Sequence, residues 1–284
     1  MTSVTRLNEF GFLSITGKDA MKFLQGYATC DLADISDARS AIGATCNLKG
    51  RMVASFVILG IEDGYLLRMR RELVPTLIDF LSRYIVFSKA EMTDLSDSLY
   101  CHGVIGAVEE FPGQAGSSID INAGHVVRVS SRDRFEVWSH DPDYTLEDAE
   151  TGSIDEWTAC EIEDGIAWIS GSTSEEFIPQ MFGYHEIGAV DFDKGCYLGQ
   201  EIVARMQYRG NLNRVLHRGS TPSAVQVGDW IQDGDSKRVG TVVSCAHIGK
   251  GSVFLAVINA KDDLTPDCFL PGGEALTVER VTRA

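Results

Sequence analysis

Nine consecutive residues, Asp193-Lys194-Gly195-Cys196-Tyr197-Leu198-Gly199-Gln200-Glu201, set one thiol beside an ammonium group, in a glycine-flanked turn just ahead of a predicted helix start. A thiol does chemistry as the thiolate, and nearby positive charge and helix N-terminal dipoles are what lower a cysteine pKa. Gly195 admits backbone angles closed to other residues, so the sulfur can be presented rather than packed. On local chemistry alone, Cys196 is either a functional thiol or a buried cysteine in an ordinary turn. Lys194 can tune that thiol, hold an anion or face solvent.

The other six cysteines, Cys30, Cys46, Cys101, Cys160, Cys245 and Cys268, stand singly, with no C-x-x-C pair among them. That spacing argues against a disulfide framework and against a zinc or iron–sulfur site built from a local motif. These six read as small core residues. Two arginine groups, Arg68, Arg70 and Arg71, and Arg205, Arg209, Arg214 and Arg218, are each either an anion-holding set or a solvated face. The formal net charge of −16 speaks against a general nucleic-acid binder, which needs clustered Lys and Arg for phosphate contacts. No apolar run approaches membrane-spanning length, and the first residues carry no secretory pattern. The expectation is a cytoplasmic chain with no membrane association, monomeric by default. Serine-hydrolase, zinc-protease, dinucleotide and P-loop motifs do not occur. His185-Glu186 is a lone pair rather than a metal site.

The elements that must position the thiol read as mixed strand and helix. Phe10 to Ile15 is a strand, and Thr16 with Asp19 resembles a capping box opening a helix that carries Ala20, Phe23 and Leu24. Met52 to Leu59 and Tyr65 to Met69 are strands around the turn at Glu62-Asp63-Gly64. Leu73, Leu77, Phe80, Leu81 and Tyr84 form one helical face, with Pro75 tolerated in the first turn. His125 to Val129 and Phe135 to Trp138 make a hairpin. Ser153 and Glu156 form a second capping box, opening a helix with Trp157 and Cys160 that stops near Gly165. From Arg214 onward short β segments alternate with Gly, Asp and Pro clusters, which predicts a small all-β barrel. The boundary is expected within Gly210 to Asn213.

The thiol segment together with Phe177-Ile178-Pro179-Gln180, Val203-Ala204-Arg205 and Arg209-Gly210 resembles the YgfZ family, folate-binding proteins related to the T-protein (aminomethyltransferase) of the glycine cleavage system. Ile15-Thr16-Gly17, Phe23-Leu24-Gln25-Gly26 and Cys46-Asn47-Leu48-Lys49-Gly50-Arg51-Met52 extend the resemblance into the N-terminal half. It is weakest between Asp94 and Asp155 and in the terminal β module. The resemblance implies an α+β fold of intertwined subdomains around a central folate-binding hole over residues 1–212, with a C-terminal β-barrel over 213–284. It implies tetrahydrofolate or a derivative as cofactor, a transient iron–sulfur cluster, and iron–sulfur client enzymes as partners, including enzymes that modify tRNA. The role would be support of cluster assembly or repair.

Carried over residue by residue, the family's two folate-lining aromatic positions fall on Phe10 and Trp157. Glu163 takes the place of the Glu in the relatives' R-x-E-x-G segment, although the Arg is replaced by Glu161. A carboxylate there would accept hydrogen bonds from a pterin. Arg205 would pair with Glu201 one helical turn earlier or contact the folate glutamate tail. Cys196 would be the functional thiol, tuned by Lys194 at the mouth of a pterin-sized cavity. It would act as a transient cluster ligand or react with an oxidised partner. The alternative is a folate-dependent aminomethyl or methyl transferase. Such transferases place an Asp near the reacting nitrogen, and the corresponding stretch here, Leu66 to Pro75, has none. Glu72 is out of register with that position.

Overall fold

The computed structural model describes residues 1–122, 124–210, 212–260 and 267–283. In chain order the strands and helices are β1 (Ser3–Arg6), β2 (Phe10–Thr16), α1 (Ala20–Gln25), β3 (Ala41–Cys46), β4 (Met52–Ile61), β5 (Gly64–Arg70), α2 (Val74–Ser82), β6 (Glu91–Asp94), β7 (Tyr100–Ile105), β8 (Ser118–Ile121), β9 (Gly124–Arg128), β10 (Arg134–Ser139), β11 (Glu150–Thr151), α3 (Ile154–Glu163) and α4 (Gln200–Arg209). The remaining strands are β12 (Arg214–Thr221), β13 (Trp230–Gln232), β14 (Arg238–Ile248), β15 (Gly251–Asn259), β16 (Cys268–Phe269) and β17 (Ala275–Arg280). Asn211, inside the expected linker, and the side chain of Arg209 lie outside the described residues.

The architecture is α+β. A five-stranded sheet runs β3-β4-β5-β2-β6, a six-stranded sheet runs β11-β1-β7-β10-β9-β8, and β12-β15-β14-β13-β16-β17 close into a barrel through the β12–β17 pairing. The chain starts in the six-stranded sheet, crosses to the five-stranded one at β2 and returns at β7.

Period-two alternation tells each strand which layer it serves. On β2, Leu13 and Ile15 face a core shared with α1 and α2, whereas Phe10 and Phe12 face the second sheet. On β5, Tyr65, Leu67 and Met69 join the first core. Arg68 points the other way, and there Glu136 of β10 meets it. Both side chains are fully buried. Arg68 Nε donates to Glu136 Oε2 at 2.9 Å, a second guanidinium nitrogen donates to Oε1, and Trp138 Nε1 donates to Oε2 at 2.8 Å. The guanidinium lies 4.1 Å from the centre of the Phe10 ring and 4.2 Å from that of Trp168. These contacts offset part of what the buried ions lose when water is gone, and Arg68 Nη1 has no hydrogen-bond partner among the described residues.

Helix α3 starts as its sequence predicts. Ser153 Oγ accepts from Glu156 N at 3.1 Å and Glu156 Oε2 accepts from Ser153 N at 2.8 Å. The expected box at Thr16 does not form. Asp19 is the residue before α1, and its carboxylate accepts from Lys89 N at 2.8 Å rather than capping its own helix.

Removing one member of a buried pair leaves the other uncompensated, which costs about 3–5 kcal/mol. Glu136→Gln should therefore lower unfolding stability by roughly 3 kcal/mol, and the double variant Arg68→Met with Glu136→Leu should recover most of that loss. Urea unfolding of the three proteins measures both; a single variant as stable as wild type would refute the central place given to this pair.

Candidate functional site

Between the two sheets lies a cavity of about 540 Å³. Its wall is made by Val57 of β4, by Arg134 and Glu136 of β10, by Glu161, Asp164, Ile166 and Trp168 at and beyond the end of α3, and by the segments around Cys30 to Ile42 and Ile187 to Asp191. Arg134 is almost wholly buried, and its ring contact is Trp157, 4.9 Å beneath it. One guanidinium nitrogen donates to Asp164 Oδ2 at 2.7 Å, while Nη1 stands 4.0 Å from Glu161 Oε1. Arg134 Nε and Nη1 have no hydrogen-bond partner among the described residues. Glu161 is equally buried and accepts from Trp168 Nε1 at 2.8 Å. A guanidinium, a carboxylate and an indole thus converge on one enclosed space, an arrangement suited to a planar molecule with both donors and acceptors on its edge. A second hollow of about 890 Å³ lies where the barrel meets α3 and the end of β5, with Glu9, Arg70, Thr158 and Ser244 on its walls.

The residues singled out in the sequence are not all brought to the cavity. Trp157 is fully buried beneath Arg134 and Phe10 is buried against Arg68; neither is part of the described cavity lining. Gly103 passes so close to the Trp157 ring that a Cβ there would lie 2.4 Å from it. Glu163 is exposed and pairs with Arg132. The carboxylate that lines the cavity is Glu161, two positions earlier, on the helix face it shares with Trp157. Arg205 is exposed on α4 and is likewise outside the described lining.

The thiol motif forms a partition. Cys196, Tyr197 and Leu198, with Lys22, Gly26, Tyr27, Tyr84 and Phe87, line a separate surface groove of about 440 Å³. Cys30, Asp31 and Asp191 line the cavity on the other side. Lys194 braces the two: its Nζ donates to Ala28 O at 2.8 Å and Cys30 O at 2.6 Å, and its backbone N donates to Asp191 Oδ1 at 2.8 Å. Burial lowers the Lys194 pKa, and Cys30, Asp31 and Asp191 act against that shift. Its ammonium is therefore committed to the partition. Of the seven cysteines, Cys196 alone is exposed. Burial pushes the Cys30 thiol up to about 11 and raises those of Cys46 and Cys101 as well. Gly195 is not the glycine the turn requires, since a Cβ there would meet open space. Gly199 is that glycine, with φ of 82° and Asn47 O 2.4 Å from where a Cβ would stand.

Among the described side chains neither arginine group acts as a set. Arg68 is locked to Glu136, Arg70 stands 3.7 Å from Glu9, and Arg71 pairs with Asp97. Arg214 pairs with Glu176 and Arg218 with Glu279. Near the end of the chain, Arg283 donates to the carbonyls of Gly165, Phe182 and Gly183. Gly165 and Gly183 are both left-handed, Gly165 just beyond the end of α3 and Gly183 beyond the 3-10 turn Pro179–Phe182. His185 Nε2 lies 3.8 Å from Glu186, and no group of three or more His, Cys, Asp or Glu positioned to hold a metal ion occurs among the described residues. No helix among them is long and apolar enough to cross a membrane.

No family model matches the chain. The fold is similar to that of the glycine cleavage system aminomethyltransferase T from Bartonella henselae, with a TM-score of 0.75 at 12% identity, covering 99% of this chain and 85% of the other. In sequence it is similar to the tRNA-modifying protein YgfZ of Pectobacterium carotovorum, 30% identical over 93% of this chain and 85% of the relative. It is also similar to the protein of the same name from Escherichia coli O157:H7, 28% identical over 92% and 86%. The tRNA-modifying protein YgfZ of Sodalis glossinidius is 31% identical over 93% of this chain and 86% of its own length, and at that identity and coverage the chain belongs to the YgfZ family.

Proposed function

We propose that this protein binds a tetrahydrofolate in the cavity between its two sheets and, through Cys196, supports iron–sulfur enzymes, among them enzymes that modify tRNA. The observation that carries the folate reading is Arg134, a buried guanidinium in the cavity wall with two nitrogens that have no hydrogen-bond partner among the described residues. A buried donor left unpaired costs free energy, and a ligand acceptor removes that cost. About 540 Å³ is within the ordinary range for a site enclosing a small organic molecule. Trp168 would stack on the pterin, Glu161 would accept from its N–H edge and Arg134 would donate to its acceptor edge. Folate, when bound, supplies a carrier for one-carbon groups.

The exposure of Cys196 supports its role as the reactive thiol, in a groove separated from the cavity by the strut of Lys194. A cluster ligated there takes its other ligands from a partner or a small thiol. The net charge of −16 favours action on tRNA through client enzymes over direct binding. The transferase alternative finds less support. Arg68 stands in the stretch where the transferases carry an Asp, its charge spent on Glu136, and the carboxylate of Glu72 accepts from Gly171 N at 2.6 Å.

Titration with tetrahydrofolate should raise the melting temperature, by mass action on the native state. Calorimetry on folded Arg134→Met should show affinity at least about tenfold weaker, the size of a lost charged hydrogen bond. Unchanged affinity would remove Arg134, and with it the cavity, from folate binding. Cys196→Ser should keep wild-type tetrahydrofolate affinity yet fail to restore iron–sulfur enzyme activity in cells lacking the endogenous protein; full restoration would take the thiol out of the mechanism. With aminomethylated lipoyl carrier and tetrahydrofolate, methylenetetrahydrofolate should form no faster than in the absence of protein, and its enzymatic formation would establish the transferase reading instead.

A further inference from the structure

The cavity is polarised from inside to outside. At its inner end Glu136, Glu161, Arg134 and Trp168 are each less than 5% exposed. At its rim stand the exposed residues Arg39 and Asp34. Three guanidinium groups line the space, and they differ in what they already hold. Arg128 donates to the carbonyls of Pro112, Ser130 and Ser131 and to Asp133, so it organises its own loop. Arg134 holds Asp164. The Arg39 side chain makes no hydrogen bond or ion pair with any described residue, although its backbone is tied to Ser36 on both sides.

The carboxylates near that rim are unequal as well. Asp31 accepts from Gln25 Nε2 and Ala33 N, and Asp191 accepts from Asp193 N and Lys194 N. Lys194 also acts on both as a positive charge. Asp34 is left as the uncommitted negative charge of the rim, opposite in sign to Arg39. A ligand that puts its ring edge against Glu161 and Arg134 therefore presents its far end to one free guanidinium, beside a carboxylate that penalises misplaced negative charge.

We propose that Arg39 is a specificity-determining residue that receives the glutamate carboxylate of the folate at the cavity rim, so that the site selects ligands with an anionic tail. This rests on the folate reading of the cavity and adds the residue that reads the outer end of the ligand. An Arg–carboxylate contact at an exposed rim is a modest, salt-sensitive interaction, made stronger when the fork geometry is paired.

The test compares tetrahydrofolate with tetrahydropteroate, which has the same ring system and no glutamate, by calorimetry on wild type, Arg39→Gln and Asp34→Asn. The Arg39 side chain has no partner among the described residues to lose, so its variant should melt with wild type. Wild type should bind tetrahydrofolate about fivefold tighter than tetrahydropteroate. Arg39→Gln should abolish that preference while leaving tetrahydropteroate affinity unchanged, and Asp34→Asn should widen it. The preference of wild type should also shrink as salt is raised. Binding of both compounds with a ratio that Arg39→Gln does not move overturns the inference and leaves the folate reading standing. Failure of both compounds to bind wild type overturns the folate reading and this inference with it.

Discussion

The buried pair between Arg68 and Glu136 is the constraint on which the arrangement depends. One partner belongs to the five-stranded sheet and the other to the six-stranded sheet, so the pair fixes how the two layers face each other. Ions stripped of water repay that loss only when their geometry is good and their remaining hydrogen-bonding capacity is met. Here the carboxylate accepts from the indole of Trp138 as well as from the guanidinium; the guanidinium lies against Phe10 and Trp168, with Nη1 lacking a hydrogen-bond partner among the described residues. Glu136 and Trp168 also form part of the cavity wall. Glu136, which ties the two sheets together, thus also helps shape the space between them.

Much of the local structure could be read from short-range chemistry. The Ser153–Glu156 box set the start of α3, and Gly165 its stop, because both are decided within a few residues. The helical phase set by that box also contained the choice between Glu161 and Glu163. From Trp157, the next position on the same face is Glu161, whereas Glu163 turns outward to Arg132. Reading the position by motif alignment rather than by helical phase led to the exposed carboxylate.

What the sequence did not disclose depends on partners far along the chain. Lys194 looked like a tuner of Cys196 because the two are neighbours in the motif, but the carbonyls that take its ammonium belong to Ala28 and Cys30. Arg68 read as one of three arginines that either hold an anion or face solvent, until β10 brought Glu136 against it. Gly195 was read as the special glycine, and Gly199 takes that part instead. The left-handed backbone of Gly199 and the proximity of Asn47 O distinguish them, and that carbonyl comes from the loop between β3 and β4. Arg134 left no local signal, because an alternating strand such as β10 does not reveal which buried position will border a cavity.

Arg283 carries a consequence for how the molecule comes apart. It stands three residues beyond the end of β17, the last strand of the barrel, yet it is bonded to the glycine turn that finishes α3 and to the one after Pro179–Phe182. The first of those turns stands between Asp164 and Ile166, both on the cavity wall. Detaching the barrel would remove the Arg283 guanidinium from both turns at once, although Gly183 O would still accept from Glu186 N. Arg283 thereby ties the barrel to the turn at the cavity wall, so local opening of the barrel's last strand would release a contact beside the space where a guest molecule would sit.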